Sequence, residues 1–318
     1  MPIEEAALAG MGREVGMSTP VAAEHFALDL MNLADQLDES SSTQGAVAPT
    51  AGDPGPAADS ATSPAPEAAT TASTPATTLG APADAGELDS YEPPALDAQA
   101  CLRTFPVLNP RCHRAYLEQF RVLRTRLCLE QRNWTSQQRD LRVISVLSPS
   151  AGDGRSFVAA NLAAALAVSD AQVLLVDVNT GAPQLHESLG VPPVPGLTEA
   201  LKGPRHLANQ AWWTVLHRVP ETNLFAMTLG AGGSSQIDTV DLQKLPSLME
   251  HWRPCFDWVI LDGPAFDVTS DAEILSHIAD ATLLIVRPGH TSFAEVQEST
   301  SRIPAEKLLG VVMNSYRR

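Results

Sequence analysis

The sequence predicts a doubly wound α/β fold, a mainly parallel sheet with helices on both faces, preceded by a disordered N-terminal arm. Three observations carry this expectation. From Arg142 onward, short apolar runs of strand length alternate with helical segments, a pattern that implies parallel strands joined by crossover helices. The first of these runs opens into a loop containing Gly152 and Gly154, and an Ala- and Leu-rich stretch follows it. Ahead of them, residues 41–99 are dominated by Ala, Pro, Thr, Ser and Asp and offer little to bury, the composition of a linker.

Charge divides the chain in the same place. The 318 residues include 37 acidic and 21 basic side chains, for a net charge of −16. Residues 1–100 hold 16 of the acids and a single base, Arg13, so nearly all of the excess lies in the arm. An acidic arm argues against nucleic acid as its partner. The four cysteines, Cys101, Cys112, Cys128 and Cys255, show no C-x-x-C spacing and read as reduced thiols of a cytosolic protein. No apolar run approaches the roughly 18–20 residues that a membrane span requires. No basic stretch followed by an apolar one marks a signal peptide at the N-terminus. The expected location is cytoplasmic, with any position at the inner membrane depending on a partner.

Within residues 1–99 the spacing of Phe26, Leu30, Leu33 and Leu37 predicts a short amphipathic helix over 20–38. It could be a docking peptide for a partner groove or a helix that folds back on its own domain. Residues 100–139 form a helical segment, expected to mediate oligomerisation. Its helix spans 111–132, with Glu118, Arg121 and Arg124 recurring on one side. That side is either a solvated face or a subunit interface whose arginines reach carboxylates of a neighbour. Residues 140–318 make the α/β domain. Strands are expected at Val143–Leu147, Val173–Val178, Asn223–Thr228, Trp258–Leu261, Ala281–Val286 and Leu309–Asn314. Helices are expected from Ser156, and at Leu197–Lys202, Asp241–Trp252, Asp271–His277 and Phe293–Ser301. A ligand of such a fold sits at the carboxyl ends of the strands, where the glycine loop falls.

Strand, glycine loop and helix together are the context that gives a phosphate-loop match meaning. Glycines let backbone N–H groups converge on a phosphate, and the helix N-terminus adds partial positive charge. Against the pattern G-x-x-x-x-G-K-[ST], Pro149 stands at the first glycine, Gly154 at the second, Arg155 at the lysine and Ser156 at the hydroxyl. Arginine keeps the charge, but its planar fork is wider than an ammonium. Gly152, Asp153, Gly154, Arg155, Ser156 and Phe157 are the expected phosphate-binding residues. Two apolar strands end in aspartate, Asp177 and Asp262. Magnesium on a nucleotide needs few protein ligands, so Ser156, Asp177 and Asp262 suffice to hold Mg²⁺ beside ATP. A strand-turn-helix without nucleotide is the alternative.

Taken in order, these segments resemble the cytoplasmic domain of the bacterial tyrosine kinases of exopolysaccharide and capsule synthesis, within the deviant-Walker P-loop NTPases that include the MinD and ParA proteins. Glu118-Gln-Phe-Arg121-Val-Leu-Arg124 is similar to the family's E-x-x-R-x-x-R helix. Ser148 to Ala163 resembles its Walker A motif and the helix after it, and Val173 to Asn179 stands at the A-prime motif. Pro195 to Gly203 looks like the segment beyond that, Phe256 to Pro264 resembles Walker B, and Gly310 to Asn314 the last strand. The resemblance implies ATP and Mg²⁺ as cofactors, with Asn314 near the adenine. It implies Arg155, Asp177 and Asp262 as catalytic residues, Asp177 being the carboxylate that activates a nucleophile. It further implies a homo-oligomer contacting through Glu118, Arg121 and Arg124, and a membrane chain-length-determinant (polysaccharide co-polymerase) partner.

Departures from the family pattern concern the chemistry. Arg155 replaces the loop lysine, and Asn179, Thr180 and Gly181 stand where the A-prime motif carries a second aspartate and an arginine. Only three tyrosines are present, Tyr91, Tyr116 and Tyr316, in place of a C-terminal cluster. The expectation is therefore a nucleotide-binding protein with weak or lost autokinase activity. A catalytically inactive scaffold that binds a membrane partner is a second reading, and a MinD- or ParA-like ATPase a third. The last would carry a signature lysine where this chain has Ser150.

Overall fold

A computed structural model describes residues 27–30, 92–203, 211–230 and 242–314. The strands are β1 (Ala27–Leu30), β2 (Val143–Ser148), β3 (Val173–Asp177), β4 (His217–Arg218), β5 (Leu224–Met227), β6 (Trp258–Ala265), β7 (Ala281–Val286) and β8 (Leu308–Asn314). They form one sheet in the order β1-β8-β7-β2-β6-β3-β5-β4, parallel throughout except for the β4–β5 pair. The helices are α1 (Ala98–Thr104), α2 (Arg114–Ser136), α3 (Arg155–Ala167), α4 (Leu185–Leu189), α5 (Leu197–Lys202), α6 (Leu245–Trp252), α7 (Asp271–Ile278) and α8 (Phe293–Ser301).

Every residue of β2, β3, β6 and β7 is buried, as expected of parallel strands covered on both faces. The period-2 pleat sends alternate side chains into two cores. Ile144, Val173, Ile260 and Leu283 pack beneath α1 to α4, while Val143, Leu174, Val259 and Leu284 pack against α5 to α8. Helix α3 is buried at Arg155 and at every position from Val158 to Ala167. Its alanines keep it thin enough to lie between the sheet and α2. Helix α2 in turn buries Tyr116, Phe120, Leu123, Leu127 and Trp134, an i, i+4, i+7, i+11, i+18 stripe, so it is an outer layer of the same core.

Two expectations for the N-terminal region change. Within the helix expected at 20–38, the described residues 27–30 are a strand, paired in parallel with β8 from Ala27↔Val311 to Leu30↔Asn314. Phe26, Leu28 and Leu30 alternate as well as Phe26 and Leu30 stand four apart, so the sequence fits either period. The open edge of β8 offers unpaired backbone groups that select the strand. The remainder of 20–38 lies outside the described residues. The arm was also drawn too long at its end: Ala95 bridges to Arg218, Leu96 enters the core, and Asp97 accepts from Ala100 N at 2.8 Å to cap α1. Helix α1, of seven residues, overlaps the start of the helical segment expected at 100–139, whereas α4, of five residues, is not among the expected helices and is too short to show a helical period.

Candidate functional site

The turn between β2 and α3 has two residues in the left-handed region, Gly152 at φ 88° and Gly154 at φ 89°. At Gly154 a Cβ would stand 2.0 Å from Asn314 Nδ2, so only glycine fits there. Asn314 closes β8 and donates that Nδ2 to Asp153 O at 2.8 Å, which ties the last strand to the loop. The Asp153 carboxylate points inward and is buried. It accepts from Thr291 Oγ1 at 2.6 Å and from Ser150 N at 3.3 Å, and lies 3.2 Å from His290 Nδ1. Asp153 thus shapes the loop through its side chain, in addition to any backbone contact it offers.

Arg155 opens α3 and turns back under the loop. Its Nε donates to Gly263 O at 3.0 Å, and its Nη1 donates to Ser148 Oγ at 2.5 Å and to Ser150 O at 3.2 Å. Burial pulls the guanidinium pKa below its usual value, opposed by the carboxylates of Asp262, Asp153 and Asp267. Much of the fork is therefore spent on the protein itself. A lysine, with one nitrogen, could not span Gly263 and Ser150 in this way.

The two strand-ending aspartates are neighbours, since Asp177 pairs with Asp262 across β3 and β6. Asp177 Oδ1 accepts from Asn179 N at 3.0 Å, and its Oδ2 accepts from Leu185 N at 3.2 Å, so it anchors the loop that leaves β3. Burial, then the charge of Asp262, pushes its carboxyl up to about 7. Asp262 is raised to about 6 by burial, against the opposing pull of the Ser156 hydroxyl that donates to it and of Arg155. Its Oδ1 is buried with no hydrogen-bond partner. A buried carboxylate oxygen left open beside a serine hydroxyl at the head of a glycine loop fits a hard, oxygen-seeking cation such as Mg²⁺. Among the described residues no group of three or more His, Cys, Asp or Glu side chains is placed to hold a metal alone. A cation here would complete its shell with phosphate and water.

The remaining expected residues are distributed differently. Asn179 closes its own turn, donating Nδ2 to Ala182 O at 2.9 Å and accepting from Ala182 N at 3.3 Å. Phe157 carries its ring away from the loop, 5.9 Å from that of Tyr116, so only its backbone faces a phosphate. On α2, Glu118 and Arg121 are exposed and 3.9 Å apart, whereas Arg124 donates to Ala165 O at 3.2 Å at the end of α3. Arg124 therefore has a partner within its own chain. Tyr116 is buried and burial pushes its phenol up, which removes it as an acceptor of phosphate. Tyr91 and Tyr316 lie outside the described residues. Sequence reasoning missed Arg287, His290 and Thr291, which follow β7 and reach the glycine loop from beside β2. The signal for them was position alone, just past the carboxyl end of an apolar strand.

No family model matches the chain. It is 27% identical over 199 residues to the tyrosine-protein kinase YwqD of Bacillus subtilis, covering 62% of this chain and 80% of that one. It is 33% identical over 180 residues to the succinoglycan biosynthesis transport protein ExoP of Rhizobium meliloti, covering 54% of this chain and 22% of that one. The chain spans about a quarter of the length of several curated relatives it matches. The kinase domain of the Escherichia coli tyrosine kinase ETK superposes with a TM-score of 0.55 at 24% identity, over 66% of this chain and 79% of that domain, which shows a shared fold. With relatives named as tyrosine-protein kinases, a kinase-domain fold and a glycine loop set beside two strand-ending aspartates, the chain is similar to the bacterial tyrosine kinases and shares the fold of their kinase domain.

Proposed function

We propose that this chain binds Mg·ATP at its glycine loop and regulates exopolysaccharide or capsule synthesis or export, with phosphoryl transfer slow or lost. The observation that carries the reading is Asp262, whose buried Oδ1 has no partner while Ser156 donates to the same carboxylate. Leaving such an oxygen unpaired costs about 1–3 kcal/mol, and a bound cation is what relieves it. Ser156 and Asp262 would hold Mg²⁺, which supplies charge neutralisation for the phosphates when bound. Backbone N–H groups from Gly152 to Phe157, at the head of α3, would cradle those phosphates, with Asn314 beside them.

Impaired transfer rests on three groups already engaged by the chain. Arg155 is tied to Gly263, Ser148 and Ser150, Asp177 to the 179–185 loop, and Asn179 to Ala182. The matched relative ExoP is named for succinoglycan biosynthesis and transport. By that likeness the partner proposed here is a membrane polysaccharide co-polymerase, which would hold a cytoplasmic protein at the inner membrane. The exposed Glu118–Arg121 face would join copies of the chain.

Calorimetric titration of Mg·ATP and Mg·ADP into the purified chain, repeated with Asp262→Ala, tests the central claim. Binding that Asp262→Ala abolishes is expected. Absence of binding in the wild type would leave only a scaffold.

A further inference from the structure

The loop after β7 is fastened to the glycine loop by groups outside the phosphate-loop pattern. Thr291 Oγ1 and His290 Nδ1 both meet Asp153 Oδ1. The Asp153 side chain is fully buried, whereas that of His290 is 47% exposed. A carboxylate only accepts, so Nδ1 carries the proton that faces it. The far edge of the ring borders the open side of the loop: its Cε1 and Nε2 lie 3.9 and 4.0 Å from where a Cβ would stand on Gly152. Arg287 reaches the same residue, its Nη1 3.5 Å from Gly152 O.

We propose that His290 is a contact for the terminal phosphate of the ligand in the glycine loop. The proposal rests on the nucleotide reading above and adds to it a binding residue that no motif supplies. With Nδ1 protonated, a neutral imidazole presents a bare lone pair at Nε2, which repels an anion. The imidazolium donates from both nitrogens and attracts one. The charged groups facing the ring are Asp153 beneath it, Glu295 at the start of α8 and Arg287 on its own loop, with Arg155 behind Asp153. The contact is therefore made by the ring that donates from both nitrogens, Nδ1 to Asp153 and Nε2 to the phosphate.

The probe is inorganic pyrophosphate, titrated into the full chain as wild type, His290→Gln and His290→Asn. Titration of pyrophosphate and of the buried aspartates is common to all three proteins, so the ratio of wild-type to variant affinity isolates the ring. The expected ratio is about tenfold, the size of one charge-assisted hydrogen bond. In the unsubstituted protein, the His290 ring proton resonances should also shift as pyrophosphate is added. A ratio within about twofold, or ring resonances that stay put while pyrophosphate binds, overturns the contact and leaves the nucleotide reading standing. A wild type that binds neither pyrophosphate nor Mg·ATP removes both.

Discussion

Replacing Asp262 with asparagine separates the cost of the site from its use. The side chain is 2% exposed, its Oδ1 has no partner, and burial lifts its carboxyl from 3.8 to about 6. At about 1.4 kcal/mol per pKa unit, holding it ionised at neutral pH costs at most about 3 kcal/mol. Asp177 next to it is raised as well, so the pair shares the penalty, and about 1–3 kcal/mol is the range expected for removing one charge. A carboxyl whose folded pKa is raised binds its proton more tightly folded than unfolded. The contribution of this pair to stability without ligand is therefore greatest at acid pH and falls as pH climbs from about 4 through about 7. Asparagine keeps the shape and can still accept from Ser156, but carries no charge.

In scanning calorimetry without nucleotide, Asp262→Asn should melt above wild type at about pH 8, by about 2–4 °C for each kcal/mol recovered in a domain of this size. The two proteins should nearly coincide at about pH 4. With Mg·ATP at about a thousand times its dissociation constant the order reverses, because wild type gains about 4.1 kcal/mol that the variant cannot. A variant that melts below wild type at about pH 8 without ligand would refute the reasoning. It would mean that Ser156 and Arg155 already compensate the charge, and that the site does not await a cation.

Three further outcomes follow from the same geometry. Gly154→Ala drives a Cβ into Asn314 Nδ2 at a left-handed φ and should cost about 1–3 kcal/mol and nucleotide binding together, whereas Gly152→Ala, with nothing nearer than 3.9 Å, should cost about 1 kcal/mol; thermal melts compare them. Arg155→Lys gives up the Gly263 tether and presents a compact ammonium, so Mg·ATP titration should show tighter binding than wild type; weaker binding would mean that the arginine fork serves the ligand better. Arg124→Ala removes a donor from the carbonyl end of α3 and should lower stability by about 0.5–1.5 kcal/mol, whereas Arg121→Ala should leave stability within about 0.5 kcal/mol and delay elution in gel filtration; an unchanged elution volume ends the interface reading of α2.

The central sheet was legible because β2, β3, β6 and β7 are buried on both faces and so read as unbroken apolar runs. Gly154, Ser156, Asp262 and Asn314 were legible because the backbone itself sets their places, at a turn, a helix start and two strand ends. What stayed hidden depends on where long side chains go after they leave the backbone. Arg155 could have pointed into solvent or toward a phosphate; only the packing of β6 against β2 brings Gly263 O within its reach. His290 and Thr291 acquire meaning only once β7 lies beside β2. The strand at 27–30 was misread because its pairing partner is almost three hundred residues away.

The hidden contacts and the legible departures from the family pattern point the same way. Arg155 Nε and Nη1, Asp177 and Asn179 already have partners in this chain, so a reacting phosphate would compete with those bonds for them. Each exchange forfeits about 1–1.5 kcal/mol of hydrogen bonding, close to tenfold in rate if the bond must break on the way to the transition state. Three such losses, even if only partly additive, would suffice for the slow transfer proposed above. Ground-state binding suffers far less, because backbone N–H groups, Ser156 and the open oxygen of Asp262 require no such exchange. A site arranged in this way would favour holding a nucleotide over spending it, the chemistry that the proposed regulator, whose bound state is its signal, calls for.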